Sequence, residues 1–176
     1  DNNTTDYLLE GVMKSLIESA EIAMENPTDY EARSNIMWCA TMALNYITGL
    51  SKEQDWEVHM IEHQIGAYTD CAHGAGLAAI SPAYYRYISP YGLDKLVRFA
   101  KNIWNIDTDN LNPEEAAEAG IQKMEEFIKM LKLPLSIKEL GVTEEMLPLI
   151  ANSTVLGGGY KFMEPNDILT VLNNSF

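Results

Sequence analysis

The residues best suited to do chemistry are His59, His63 and His73, the chain's three histidines, all within a fifteen-residue stretch. His59 and His63 are four apart, so on a helix their rings leave the same face as neighbours. His73 follows beside Gly74, where the chain can bend back toward that face. Imidazole is the commonest protein ligand for borderline metals. Three so placed could hold a divalent ion such as Fe²⁺, Zn²⁺ or Ni²⁺. Asp55, Glu62 and Asp70 lie close in sequence and could add an oxygen ligand or orient an imidazole from behind. The plainer alternative is a chance cluster on a helical interaction domain that binds nothing.

The segment His59-Met60-Ile61-Glu62-His63 also spells H-x-x-E-H, the signature of the inverzincin metallopeptidases, in which two His bind zinc and Glu is the general base. That reading requires a substantial β-sheet and a distant Glu as third ligand. Here no segment alternates with period two, and the third candidate is a His ten residues on. Met60, Ile61 and Ile65 read as packing residues. Trp56 and Tyr68 could line an alkyl pocket but read better as core.

Those histidines need helices to position them, and the chain reads as helix after helix. Leu9, Met13, Leu16, Ala20 and Ala23 recur at helical spacing and predict a first helix ending near Asn26-Pro27. Thr28-Asp29-Tyr30-Glu31 predicts a capping box opening a second helix to Gly49. Ser51-Lys52-Glu53-Gln54 predicts another, opening a third helix through Tyr68. Gly74 and Gly76 mark a tight start before Leu77 to Ile88, with a kink at Pro82. A helix from Leu93 to Ile106 follows. Asn112-Pro113-Glu114-Glu115 is a strong start signal for a helix reaching Leu131. Shorter helices are expected over Ser136–Leu140, Thr143–Asn152 and Asn166–Asn173. Gly157-Gly158-Gly159 lacks the preceding strand and following Lys-Ser or Lys-Thr of a phosphate loop and reads as a flexible connector. The expected fold is an all-α multi-helix bundle: one helical domain over 1–176, with a small subdomain from about 134.

Length and charge narrow the function classes. The 176 residues suffice for a sizeable core, and 47% apolar composition is ordinary for a globular protein. A formal net charge of −14 argues against nucleic acid and anionic membrane surfaces as partners. No apolar run approaches the roughly 20 residues that span a bilayer. Cys39 and Cys71, few and far apart, point to a reduced cytoplasmic chain, with a single bridge as the other option. The start Asp1-Asn2-Asn3, without Met, reads as the middle of a longer protein; a matured secreted chain is the competing explanation.

With the elements in place, a resemblance emerges. Val58 to Tyr68, then His73-Gly74-Ala75-Gly76-Leu77-Ala78 and Pro82-Ala83, resemble the signature of the iron-containing, or group III, alcohol dehydrogenases: H, three residues, H, nine residues, HG, then a small-residue helix ending in P-A. Asn26 to Arg33, Met37-Trp38, Ala43-Leu44-Asn45, Leu133-Pro134 and Glu164 to Leu169 resemble its butanol dehydrogenase branch. The resemblance covers essentially the whole chain. It implies the C-terminal helical domain of a dehydroquinate synthase-like fold, cut from an N-terminal Rossmann-like domain that binds NAD(H) or NADP(H). It further implies a divalent metal, Fe²⁺ first with Zn²⁺ or Ni²⁺ as alternatives, held by His59 and His73. His63 would stand beside it near substrate and nicotinamide. The family's two other ligands, an Asp and a His four residues apart, would lie upstream of Asp1; Asp55 and His59 share that spacing but not that place. The implied parent interconverts primary alcohols and aldehydes by hydride transfer, and this chain alone is expected to be inactive. The apolar face left by the missing domain would favour self-association.

Overall fold

The computed structural model describes residues 3–176, which fall into two compact units, residues 3–54 and 55–176. Among the described residues eight α-helices form and no strand does.

In the first unit, α1 (Asn3–Glu25) packs on α2 (Tyr30–Leu44), and a 3-10 turn at Ile47–Gly49 closes the hairpin. The cap of α2 lies one residue later than the sequence suggests. Asp29, not Thr28, is the N-cap and accepts from the Ala32 amide at 2.9 Å, while the Thr28 hydroxyl turns to Asn26. A carboxylate is a stronger acceptor for a free amide at the positive end of the helix dipole than a hydroxyl. Leu16, expected in the apolar stripe, is exposed, whereas Ala20 is buried. On α2, Tyr30, Met37, Trp38 and Leu44 are all exposed.

The second unit holds the histidines. Helices α3 (Glu57–Thr69), α4 (His73–Ile88), α7 (Met146–Ser153) and α8 (Pro165–Asn174) share one core. Its fully buried members include Ile61, Ile65, Ile80, Tyr84, Ile150, Ile168 and Leu172. Residues beyond Pro134 therefore build the same core as the histidine helices. Helices α5 (Leu93–Trp104) and α6 (Pro113–Met130) pack closely at Gly120, where a Cβ would stand 2.9 Å from that of Ala100. Helix α6 starts at the expected place, and its start is a full capping box: Asn112 accepts from the Glu115 amide at 2.8 Å and Glu115 accepts from the Asn112 amide at 3.0 Å. Arg86 of α4 reaches Glu118 and Glu125 of α6 with paired hydrogen bonds of 2.7–3.1 Å. Helix α4 continues through Pro82, and the Ser81 hydroxyl bonds the Leu77 carbonyl at 2.6 Å.

The expected box at Ser51–Gln54 does not open a helix. Tyr46 and Ser51 take left-handed backbone angles, and α3 begins only at Glu57. Trp56 is the N-cap and makes no side-chain bond there; the residue before it, Asp55, supports the helix start, its Oδ1 accepting from the Glu57 amide at 3.0 Å in an Asx turn. No helix among the described residues is long and apolar enough to cross a membrane. Both cysteines are free, so the single-bridge option does not apply.

Candidate metal centre

The three histidines are brought together by the short connection between α3 and α4. Asp70 closes α3 in the left-handed conformation, its amide bonded to the Gly66 carbonyl at 2.8 Å. This conformation is open to Asp because its short side chain costs little there. Three residues later the chain is helical again, and the first residue of α4 is His73. Its ring stands 5.3 Å from that of His59 and 5.4 Å from that of His63, centroid to centroid. The two histidines of α3 are 6.5 Å apart. His63 and His73 are exposed and His59 is half-buried.

These distances bear on whether the residues suit a metal. Two imidazoles bound to one tetrahedral ion through nitrogens at 2.0–2.1 Å place their centroids roughly 5 Å apart. His73 meets that spacing with either neighbour, and His59 and His63 exceed it with each other. Among the described residues, one group of donor atoms converges within 4.8 Å, formed by Glu62, His63 and His73. A donor set of imidazoles and a carboxylate is one that Fe²⁺, Zn²⁺ and Ni²⁺ accept. The residues fit such an ion.

Glu62 is buried, and its Oε2 is bonded to His73 Nδ1. Of the three acids near the histidines in sequence, it alone reaches them. Both oxygens of Asp55 accept from the Tyr84 hydroxyl, at 2.8 and 2.9 Å, which ties the start of α3 to α4. Asp70 serves the turn. Burial, followed by the positive fields of His73 and His63, lowers the pKa of His59, while Glu62 opposes this. A neutral ring is the form that binds metal.

Two expectations are corrected around this cluster. Trp56 and Tyr68 are not core: they are 42% and 41% exposed. The Trp56 ring stands 5.1 Å from that of His59. The glycine run is not a loose connector. Gly158 adopts φ 112°, the Gly157 carbonyl accepts from the Met163 amide at 2.7 Å, and a Cβ at Gly159 would stand 3.1 Å from that of Asp55. The loop packs on the start of α3, where Glu57 is 1% exposed and neither of its oxygens has a partner at hydrogen-bonding geometry. Burial and then Asp55 push the Glu57 carboxyl up to about 7, and the Gly157 amide offsets them in part. Glu57 was not singled out from sequence, where it reads as one more acid in a helix's first turn.

Comparison with known proteins identifies the family. A sequence model described as the Fe-containing alcohol dehydrogenase family, C-terminal, matches residues 1–176. NADH-dependent butanol dehydrogenase A of Clostridium acetobutylicum is 35% identical over 97% of this chain and 45% of its own length. The NADPH-dependent aldehyde reductase YqhD of Escherichia coli is 30% identical over 96% of this chain and 43% of its own. The crystal structure of NADH-dependent butanol dehydrogenase A from Thermotoga maritima superposes with a TM-score of 0.92 at 29% identity, covering 99% of this chain and 46% of that one. The chain thus spans a little under half the length of the relatives it matches. No β-sheet and no peptidase relationship support the H-x-x-E-H alternative among the described residues and these matches. With a family match over its full length and its histidines gathered on two adjoining helices, the chain belongs to the iron-containing alcohol dehydrogenases and corresponds to their C-terminal region.

Proposed function

We propose that this chain is the metal-holding helical domain, residues 1–176, of a cytoplasmic NAD(P)-dependent dehydrogenase that interconverts primary alcohols and aldehydes. The observation that carries the proposal is the approach of His73, at the head of α4, to the two histidines of α3. His59 and His73 hold a divalent metal, Fe²⁺ first among Fe²⁺, Zn²⁺ and Ni²⁺. When bound, such an ion lowers the pKa of an alcohol oxygen and polarises an aldehyde carbonyl. His63, exposed and one ring away from His73, passes the alcohol proton between substrate and solvent, acting as a general acid and base. Trp56, beside His59, shields one side of the site from water. The nicotinamide cofactor is bound by an upstream nucleotide domain that also supplies two further ligands. This chain by itself is therefore inactive and binds metal weakly, and its exposed apolar side chains on α2 promote self-association.

The convergence of Glu62, His63 and His73 within 4.8 Å favours a second ligand set, with His59 beside the ion. Calorimetric titration of the chain with Zn²⁺ and anaerobic Fe²⁺ tests both. Weak binding abolished by His59→Ala/His73→Ala, with His63→Ala neutral, supports the first set. Loss with His63→Ala and none with His59→Ala supports the second. Binding that survives the loss of His73 refutes both.

A further inference from the structure

Glu62 is the carboxyl group at the centre to which the first ligand set, His59 with His73, gives no task. It rises from α3 between His59 and His63 and is 1% exposed. It occupies a notch left by two glycines. A Cβ at Gly76 of α4 would stand 2.5 Å from its Oε1 and 2.7 Å from its Cγ, and one at Gly66 of α3 would lie 3.6 Å from Oε1. A carboxylate this buried requires a partner, and its side-chain partner is Nδ1 of His73.

An ionised carboxylate only accepts, so the proton on a neutral His73 belongs at Nδ1. The lone pair is then left on Nε2, on the side of the ring away from Glu62. Without an acceptor behind Nδ1, nothing fixes which nitrogen is protonated, and part of any binding energy goes into choosing tautomer and ring orientation. We infer that Glu62 is a positioning residue, which sets His73 as the Nδ1–H tautomer and aims Nε2 at the ion, and that Gly76 is glycine to leave this carboxylate room. The inference rests on the metal reading above and deepens it: Glu62 acts through His73 and does not itself ligate.

The test combines two measurements on the full 176-residue chain: ¹⁵N NMR of His73 in the metal-free state, at roughly pH 8 where imidazole is neutral, and Zn²⁺ titration. Four proteins are compared: the original chain, Glu62→Gln, Glu62→Leu and Gly76→Ala. The expected tautomer of the original chain is Nδ1–H. Glu62→Gln keeps it, because the amide oxygen still accepts, and loses zinc affinity only a few-fold. Glu62→Leu loses the tautomer preference and about 10–100-fold in affinity. Gly76→Ala, which displaces the carboxylate without removing it, moves in the same direction and decides the matter if Glu62→Leu does not fold. An Nε2–H tautomer in the original chain overturns the assignment, as does a folded Glu62→Leu within threefold of normal affinity. Equal losses for Glu62→Gln and Glu62→Leu, with the tautomer unchanged, make Glu62 a ligand and also overturn it. Intact zinc binding with the wrong tautomer sinks the positioning role alone. An original chain that takes up no zinc overturns the proposal that this chain's own residues hold metal by themselves, and this role in the isolated chain with it.

Discussion

Replacing Asp167 with Asn measures how strongly one half-buried charge stitches the second unit together. Asp167 lies in the first turn of α8, where Oδ2 accepts from the Glu164 amide at 2.9 Å and from Lys161 Nζ, and Oδ1 accepts from the Tyr87 hydroxyl at 2.5 Å. The cluster joins α4, α8 and the loop between α7 and α8. Burial alone would raise this carboxyl's pKa. The hydrogen bonds from Lys161, Tyr87 and the Glu164 amide outweigh burial and hold it at about 2, against an ordinary 3.8. The same bond pushes the Tyr87 hydroxyl up to about 12. At about 1.4 kcal/mol per pH unit, Asp167's displacement corresponds to about 2.5 kcal/mol. Solvent screens part of it, since Lys161 and Asp167 are 21% and 19% exposed, which leaves about 1–2 kcal/mol. A depressed folded pKa gives stability that is present above the unfolded value near 3.8 and lost as pH falls through 2. Asn keeps one acceptor oxygen and replaces the other with an NH₂ donor, so Asp167→Asn removes the charge together with one accepting position. In urea denaturation followed by circular dichroism, the variant should lose about 1–2 kcal/mol near neutral pH. The gap should narrow below about pH 4 and close toward pH 2. A loss under about 0.3 kcal/mol near neutrality, or a gap that persists unchanged to about pH 3, refutes the argument.

Three further substitutions probe packing, helix propensity and capping. Gly120→Ala drives a Cβ to 2.9 Å from that of Ala100 and 3.1 Å from its Cα, and should cost about 1–3 kcal/mol in thermal denaturation. Gly11→Ala, with nothing within 4 Å inside α1, should instead stabilise by about 0.5–1 kcal/mol. Tyr84→Phe removes the hydroxyl that holds both oxygens of Asp55 and so loosens the start of α3. Chemical denaturation should show a loss of about 1–2 kcal/mol, and a neutral result would mean that water replaces the hydroxyl.

The start of α6 was legible because its signals are local. Asn112, Pro113 and Glu115 satisfy their own helix end within four residues, so no distant contact can overrule them. Ser51-Lys52-Glu53-Gln54 carries similar letters and fails. Asp55 offers a stronger acceptor a few residues on, and Tyr84, twenty-nine residues away, holds that acceptor in place. Trp56 and Tyr68 have the composition of core residues yet sit on the exposed side of α3, because Ile61 and Ile65 already fill its buried face.

At the metal centre the division is sharper. The sequence by itself determined the all-helical class, the face shared by His59 and His63, and the resemblance to a metal-dependent family, since periodicity and motif spacing are properties of one chain segment. Only the tertiary structure decided that Glu62, and not Asp55 or Asp70, stands behind a histidine. It decided too that the glycine run closes over the start of α3. Both facts depend on where α4 and the loop beyond α7 cross α3, and that crossing is fixed by apolar packing among Ile61, Ile65, Ile80, Tyr84 and Ile150, residues spread over ninety positions.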